Sequence, residues 1–219
     1  MKFIGLIGSN NDKSYPKKLL EYCKMLMIDQ IDIEIISCNN IPIFNLELSI
    51  YDNKFLIDLS DKIKNSDGII ISTEEILNTI PSSLKSLLEW MSYEIHPFLN
   101  KPVLVLGISK DENPTRRSQM QLKEILSSPG LECFVIPGNE FLMSMASEKF
   151  DVDGRLIHEQ SQDYLEHCLL RFEKYARLIN TLDLKNLESK YTLTLKSGGY
   201  INLDDPNSDG TSGATDYWN

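Results

Sequence analysis

The sequence predicts an open, doubly wound α/β fold, because short β-branched apolar runs alternate along the chain with longer segments of helical periodicity. Three of the apolar runs, FIGLI, GIII and VLVLGI, are almost continuously hydrophobic. Strands that are covered by helices on both faces of a parallel sheet have this composition. Hydrophobic residues make up 42% and charged residues 25% of the 219-residue chain, which suits a globular protein with one filled core.

The alternation predicts five strands and five helices in strict order. The predicted strands cover residues 2–7, 31–37, 68–72, 103–108 and 132–136. The predicted helices cover residues 15–28, 56–65, 82–91, 116–127 and 160–182. Crossover connections between parallel strands are right-handed, so this order is typical of a flavodoxin-like or a Rossmann-like topology. The expected fold class is therefore a flavodoxin-like, doubly wound, five-stranded parallel sheet with helices on both faces.

The charge balance argues against a nucleic-acid partner. The formal net charge is −10, from 32 acidic and 22 basic residues. A surface that follows nucleic-acid phosphates needs clustered lysine and arginine, which this balance does not favour. The apolar run at the amino terminus is too short for a membrane span or a secretory signal. The sequence therefore predicts a cytoplasmic protein that binds neither nucleic acid nor membrane.

The cysteine and histidine residues lack the spacing of a metal site. No C-x-x-C pair occurs, and the three histidines stand far apart in the sequence. We therefore expect no bound metal. We expect the four cysteines to be reduced and buried, as in a cytosolic protein. These cysteines are Cys23, Cys38, Cys133 and Cys168.

The loop after the first predicted strand has the residue types of an anion site. Ligands of open α/β sheets bind at the carboxyl ends of the strands. Gly8 is expected to allow an unusual backbone angle there, and Ser9, Asn11 and Ser14 offer short hydrogen-bonding side chains. Ser14 is the expected N-cap of the first helix, with Pro16 in its first turn. Free amides and the helix dipole would then favour a phosphate, although a simple capped polar turn is the alternative.

Four sequence motifs follow one another in the order found in one flavoprotein family. G-S-x-x-x-x-S-x-x-x-x-L begins at Gly8, and IPIFN occupies residues 41–45. The third motif combines S-D-G to T at residues 66–73 with IPSSLKSLLEW at residues 80–90. The fourth combines KPV at residues 101–103 with RSQMQL at residues 117–122. Together these motifs, over residues 1–178, resemble the NADPH-dependent FMN reductase family of flavodoxin-like proteins.

The resemblance implies a function, cofactors and partners. It implies an oxidoreductase that uses NAD(P)H as co-substrate and FMN as cofactor, and that passes electrons to a flavin, a quinone, an azo compound or a metal ion. The acceptor is a small molecule, and the assembly is a homodimer, through residues 82–90, or a tetramer. We expect no acid or base residue, because the flavin itself relays the electrons and the protein only positions it.

The resemblance also places the cofactor-binding residues on three loops. These are the phosphate loop after the first strand, the flavin loop after the third, and the loop after the fourth. The residues carried over are Ser9, Asn11, Ser14 and Tyr15, then Thr73, Glu74, Glu75, Ile76, Leu77 and Asn78, then Ser109 and Arg117. Thr79 and Pro81 also match the flavin loop.

Several loop residues depart from the family pattern. Asn11 replaces an arginine, and Pro16 replaces an asparagine, so phosphate contacts are lost. Residues 74–77 replace P-E-Y-N, and residues 114–115 replace Gly-Gly. The adjacent carboxylates at residues 74 and 75 would also repel an anionic reduced flavin. Two hypotheses remain: FMN binds mainly through backbone amides, or the chain is a flavin-poor or flavin-free family member that acts as a binding or partner subunit.

The chain beyond the last predicted helix differs in composition. It is rich in glycine and turn-forming residues and contains few aliphatic ones. We therefore expect a flavodoxin-like FMN-binding domain over residues 1–182 and an irregular C-terminal extension over residues 183–219. Two aromatic residues, Tyr217 and Trp218, end the extension without apolar neighbours in the sequence. One hypothesis is that the extension covers the site of a partner subunit.

Overall fold

A parallel sheet forms the centre of the computed structural model, which describes residues 1–11, 13–112 and 114–182. The predicted C-terminal extension lies outside these residues. The strands are β1 (Lys2–Gly8), β2 (Asp32–Ser37), β3 (Gly68–Thr73), β4 (Pro102–Ile108), β5 (Phe134–Val135) and β6 (Phe141–Met143). The α-helices are α1 (Tyr15–Leu26), α2 (Lys54–Lys64), α3 (Ser82–Tyr93), α4 (Arg116–Leu126), α5 (Ala146–Lys149) and α6 (Glu159–Asn180).

The strand order decides between the two topologies that the sequence left open. The strands run β2-β1-β3-β4-β5, and every pairing in the described sheet is parallel. This order is the flavodoxin-like one. The chain reverses direction across the sheet between β1 and β3, so the switch point at which ligands bind lies beside the carboxyl end of β1.

The predicted fifth strand is divided into two segments. Residues 132–136 were expected to form it, whereas β5 covers only Phe134–Val135 and a further strand, β6, covers Phe141–Met143. Both segments pair with β4, at its amino half and its carboxyl half respectively. Pro137 and Gly138 interrupt the strand, because proline has no amide to donate and Gly138 has φ 64°. The predicted five-stranded sheet is therefore confirmed in order and direction, with a sixth segment at its edge.

Helices cover both faces of the sheet, as predicted. One core lies between the sheet and helices α1 and α6, and a second lies between the sheet and α2, α3 and α4. Successive side chains of β3 point to opposite faces of the sheet, so Ile70 belongs to the first core while Ile69 and Ile71 belong to the second. Phe3 and Phe172 join β1 to α6, with ring centroids 5.1 Å apart. Among the described helices, none combines the length and the apolar composition needed to cross a membrane.

The four cysteines are free and buried, which confirms the prediction that they are buried thiols. Burial raises the pKa of each thiol, to about 12 for Cys38 and to about 11 for Cys168. The pKa values of Cys23 and Cys133 are raised by burial as well. At neutral pH all four side chains are therefore neutral thiols that pack as small apolar groups.

Glu34 on the edge strand β2 makes the fold sensitive to acid. Its carboxylate accepts from Lys62 Nζ at 2.6 Å and lies 3.1 Å from Lys2 Nζ, and these hydrogen bonds lower its pKa. Such a carboxylate stabilises the fold at pH values above about 4.3, the pKa that it has in the unfolded chain. This contribution is lost as the pH falls through the lower pKa that it has in the folded protein. We expect Glu34→Gln to lower the free energy of unfolding by up to about 1 kcal/mol at neutral pH and by less in acid.

Urea denaturation at several pH values checks this expectation. Glu47→Gln is the matched control, because Glu47 is exposed and makes no ion pair within the described residues. A difference between wild type and Glu34→Gln that stays constant down to strongly acidic pH would contradict the assignment to Glu34.

Candidate functional site

The carboxyl ends of three neighbouring strands bring the predicted loops together. Gly8 at the end of β1 pairs with Thr73 at the end of β3, and Thr73 pairs with Gly107 near the end of β4. The loops at residues 9–14, 74–81 and 109–115 therefore leave the sheet side by side. The three segments that the sequence assigned to one site meet at the switch point of the fold.

Gly8 is needed because there is no room for a side chain at this position, and not because its backbone angle is unusual. It is the last residue of β1, and the described glycines with positive φ are only Gly130, Gly138 and Gly154, so the predicted unusual angle at Gly8 is wrong. A Cβ atom at Gly8 would lie 2.9 Å from both Thr73 Cβ and Leu84 Cδ2. Glycine is needed at this position because β3 and α3 approach β1 too closely for any side chain.

The loop after β1 is held by hydrogen bonds within itself and by one bond to the loop after β3. The Ser9 hydroxyl donates to Glu74 Oε1 at 2.6 Å, and Ser9 Oγ accepts from the backbone amide of Asn11 at 3.1 Å. The Asn11 side-chain oxygen accepts from the amide of Lys13 at 2.9 Å. Ser9 is fully buried while Asn11 is exposed. These bonds fix the curve of the loop and lead the chain into α1.

Ser14 presents a buried hydroxyl at the amino end of α1. Its backbone has φ −81° and ψ 156°, so the predicted N-cap position is confirmed, with Pro16 in the first turn. The side chain, however, makes no capping hydrogen bond. It is only 5% exposed, and Ser14 Oγ has no hydrogen-bond partner within the described structure. An unpaired buried hydroxyl is costly, and this one lies at a helix amino end beside the switch point, so it suits a ligand oxygen that would complete it.

A cation and an aromatic ring lie close to the same helix end. Lys18 Nζ lies 5.1 Å from the centroid of the Tyr15 ring, and Tyr15 packs on Phe150 at 5.8 Å between centroids. Tyr15 is therefore held by packing against a lysine and a phenylalanine. The positive end of the α1 dipole favours an anion near Ser14.

Helix α4 holds the loop after β3. Glu75 Oε2 accepts from the amide of Ser118 at 3.0 Å, in the first turn of α4. The Thr79 hydroxyl donates to the side-chain oxygen of Gln121, which also accepts from the amide of Ile80 at 3.3 Å. Gln121 is thus a positioning residue that the sequence did not single out. Its only signal was its place in the RSQMQL motif.

The tip of this loop is a two-residue turn with exposed apolar side chains. Ile76 and Thr79 exchange two backbone hydrogen bonds of 3.0 Å, and both intervening residues, Leu77 and Asn78, have positive φ. Leu77 is 91% exposed, and Ile76 is also exposed. Thr73, by contrast, is fully buried and uses its hydroxyl on the backbone. The tip therefore presents apolar side chains at residues 76 and 77, with the exposed Asn78 beside them.

The loop after β4 contributes a second unpaired hydroxyl. Thr115 precedes α4, is fully buried and has no partner for Oγ1 in the described part of the chain. Ser109 Oγ accepts from the amide of Asp111 at 3.2 Å. Arg117 is exposed and makes no ion pair among the described residues. Its guanidinium is available to an anionic ligand.

Asn10 links the first loop to α3, a role that no motif in the sequence indicates. Its side-chain amide donates to Ser82 Oγ at 3.3 Å, and its oxygen accepts from the amide of Ser83 at 3.4 Å. A cavity of about 440 Å³ opens beside this link, between α3 and the segment after β2. It is lined by Asn10, Asn39, Ile41, Ile43, Ser82, Ser83, Lys85, Ser86 and Glu89. The predicted cofactor-binding residues lie outside this lining.

The donors of the site suit a phosphorylated aromatic ligand. Two buried hydroxyls without partners, Ser14 Oγ and Thr115 Oγ1, lie at the amino ends of two helices. Exposed apolar side chains at residues 76 and 77 suit a flat ring. Among the described residues, no group of His, Cys, Asp and Glu side chains has the arrangement of a metal site.

The chain is similar in sequence to one protein family and to two named reductase subunits. Residues 1–148 match the family model described as NADPH-dependent FMN reductase. A relative from Vibrio ruber, named NADH:(hydroxy)cinnamate reductase subunit CrdA, is 32% identical over 83% of this chain and 90% of its own length. A relative from Lactobacillus johnsonii, named NADH-dependent flavin reductase subunit 2, is 33% identical over 80% of this chain and 97% of its own.

A solved structure supports the fold. The flavoenzyme NAD(P)H:(acceptor) oxidoreductase FerB from Paracoccus denitrificans superposes with a TM-score of 0.71 at 18% identity. The superposition covers 80% of this chain and 97% of that one.

Proposed function

Because the chain belongs to the NADPH-dependent FMN reductase family, we propose that its β1, β3 and β4 loops bind FMN and that it reduces a small-molecule acceptor. The predicted oxidoreductase class, with FMN as cofactor and NAD(P)H as co-substrate, is confirmed by the family. The observation that carries the site proposal is the buried, unpartnered hydroxyl of Ser14 at the amino end of α1. The acceptor classes that we propose are flavins, quinones, azo compounds and metal ions.

Each loop has a separate task in this proposal. A bound FMN would supply the redox chemistry that connects NAD(P)H, the hydride donor, with the acceptor. Ser14 and the free amides of α1 hold the phosphate, and the apolar turn at residues 76–78 excludes water from the ring system. Arg117 attracts the anionic co-substrate to the rim of the site. We assign no acid or base among the described residues, because positioning of the flavin and the co-substrate carries the step.

Absorption spectroscopy and NAD(P)H oxidation test the proposal. We expect the purified full chain to take up FMN with a yellow flavin spectrum and to oxidise NADH or NADPH faster when a quinone or free flavin is added. Assays with each nucleotide in turn identify the preferred co-substrate. A colourless chain that takes up no FMN would overturn the proposal and favour the flavin-free partner subunit.

The names of two relatives favour assembly with another chain. Both the Vibrio ruber and the Lactobacillus johnsonii proteins are named as subunits. We therefore carry a second proposal, in which this chain transfers electrons to a partner subunit that reduces the final acceptor. Acceptor reduction that requires an added second protein would support it, and full activity of the isolated chain would contradict it.

We propose a homodimer through the α3 face, which comprises residues 82–90 and the segment after β2. The cavity of about 440 Å³ opens on this face. Ile43 is 85% exposed beside it, and Tyr93 at the end of α3 is 47% exposed. We expect Ile43→Asp to convert a dimer into a monomer, because a buried unpaired carboxylate is costly. Light scattering after size exclusion measures this.

Val152→Asp is the matched control for the dimer, because Val152 is exposed and distant in sequence from the α3 face. It should leave the dimer intact. A monomeric wild type, or an Ile43→Asp variant that remains dimeric, would contradict the proposed interface. A tetramer would mean that a second face also takes part.

The remaining proposals concern the cell and the C-terminal extension. Four free, buried thiols and a net charge of −10 support a cytoplasmic protein without a nucleic-acid partner. Cell fractionation tests the compartment, and recovery in a membrane or secreted fraction would contradict it.

We further propose that residues 183–219 extend an FMN-binding domain of residues 1–182 and cover the site of a partner subunit. A deletion of residues 183–219 that leaves flavin affinity and dimerisation unchanged would contradict this role.

A further inference from the structure

Glu74 places a carboxylate within the loop that we propose for the FMN phosphate. The Ser9 hydroxyl donates to Glu74 Oε1 at 2.6 Å, a distance typical of a charge-assisted bond. A serine hydroxyl has one proton to donate. Ser9 therefore cannot donate to a second anion while this bond is made.

The position of Glu74 is fixed by its backbone. Its amide donates to the carbonyl oxygen of Gly8 at 3.2 Å, and its carbonyl oxygen accepts from the buried Thr73 hydroxyl at 3.0 Å. These bonds hold Glu74 against the end of β1, directly beside the first loop. The carboxylate is therefore a built part of the site.

The charge of Glu74 is not balanced by a neighbouring cation. Within the described residues Glu74 makes no ion pair with lysine, arginine or histidine. Lys18, near the amino end of α1, lies against the Tyr15 ring instead. A ligand phosphate at the loop would thus meet a negative charge at close range, which weakens binding by Coulomb repulsion.

We propose that Glu74 is an internal anion that competes with the FMN phosphate for Ser9 and so keeps FMN exchangeable. The proposal rests on the FMN site proposed above. Riboflavin, which lacks the phosphate, does not meet this competition. Glu74 therefore sets the preference between the two flavins, and it makes FMN a ligand that enters and leaves during turnover instead of a permanently held group.

Flavin titration of three variants tests the role of Glu74. The full chain is first freed of flavin, and FMN and riboflavin are then titrated separately, with flavin fluorescence as the readout. Glu74→Gln keeps an oxygen that accepts from Ser9 but removes the charge. We expect it to tighten FMN binding about tenfold or more while riboflavin binding changes by less than about twofold. Glu74→Ala should shift the FMN affinity in the same direction.

Glu124→Gln is the matched control, because Glu124 is an exposed carboxylate in the last turn of α4, away from the loop. It should leave both affinities unchanged. An unchanged ratio of FMN to riboflavin affinity in Glu74→Gln, or weaker FMN binding, would overturn the role of Glu74 alone. A wild-type chain that binds neither flavin would overturn this role together with the proposed function.

Discussion

Gly107→Ala is expected to lower the free energy of unfolding by about 2–4 kcal/mol, because the position has no room for a methyl group. An added Cβ would lie 2.0 Å from Thr115 Oγ1 and 3.0 Å from Leu142 Cδ2. Thr115 is fully buried at the start of α4, so it cannot turn away into solvent. The clash therefore pushes α4 from the end of β4 and disturbs the candidate site as well as the core.

A second substitution tests whether the stability is lost through this clash or merely through the replacement of a glycine in a strand. Thr115→Ala removes the atom that the new methyl group meets, so the double variant should recover most of the lost stability. Gly5→Ala is the matched control in β1, where the nearest atom to an added Cβ is the end of the Leu20 side chain at 3.3 Å. Urea denaturation of wild type, the two single variants, the double variant and the control measures the five free energies of unfolding. Equal stability of Gly107→Ala and wild type would contradict the packing described at Thr115.

Ser14→Ala is expected to weaken FMN binding about tenfold or more while leaving the fold intact. Removal of an N-cap side chain usually costs about 1 kcal/mol, but Ser14 makes no capping bond. Its buried hydroxyl has no partner in the described structure, so its removal should change the free energy of unfolding by less than about 0.5 kcal/mol. Loss of affinity without loss of stability is the signature of a ligand contact. Flavin titration and urea denaturation of the same sample measure both.

Ser128→Ala controls for the loss of a serine hydroxyl. Ser128 follows α4 at the opposite end from the site, where its hydroxyl donates to the carbonyl oxygen of Glu124. FMN affinity should not change in this variant. The role of Ser14 in phosphate binding would be contradicted if Ser14→Ala bound FMN as tightly as wild type, or if it lost riboflavin affinity to the same extent.

The central strands could be predicted from the sequence because their surroundings are uniform. β1, β3 and β4 lie between two helical layers, so both faces of each strand are buried and each strand is a nearly continuous apolar run. Such a run can be recognised as a strand without knowing which residues face which layer. The edge of the sheet lacks this signal. β5 has two residues and β6 has three, and the interruption at Pro137 and Gly138 separates them. Segments this short have no periodicity from which to infer them.

The site was predictable only at the level of its loops. Motifs indicated which loops meet, but the contacts join residues far apart in sequence, such as Ser9 with Glu74 and Thr79 with Gln121. Gly8 illustrates the difference. Glycine after a strand suggests backbone freedom, whereas the actual constraint comes from the neighbouring Thr73. Such constraints depend on tertiary packing, which a single sequence does not show.

A crystal structure of the full chain with FMN bound tests the proposed site most directly. We predict the phosphate at the amino end of α1, with an oxygen that accepts from Ser14 Oγ, and the ring system against the turn at residues 76–78. A flavin bound elsewhere, or a phosphate that leaves Ser14 Oγ without a partner, would contradict the proposed function of this loop.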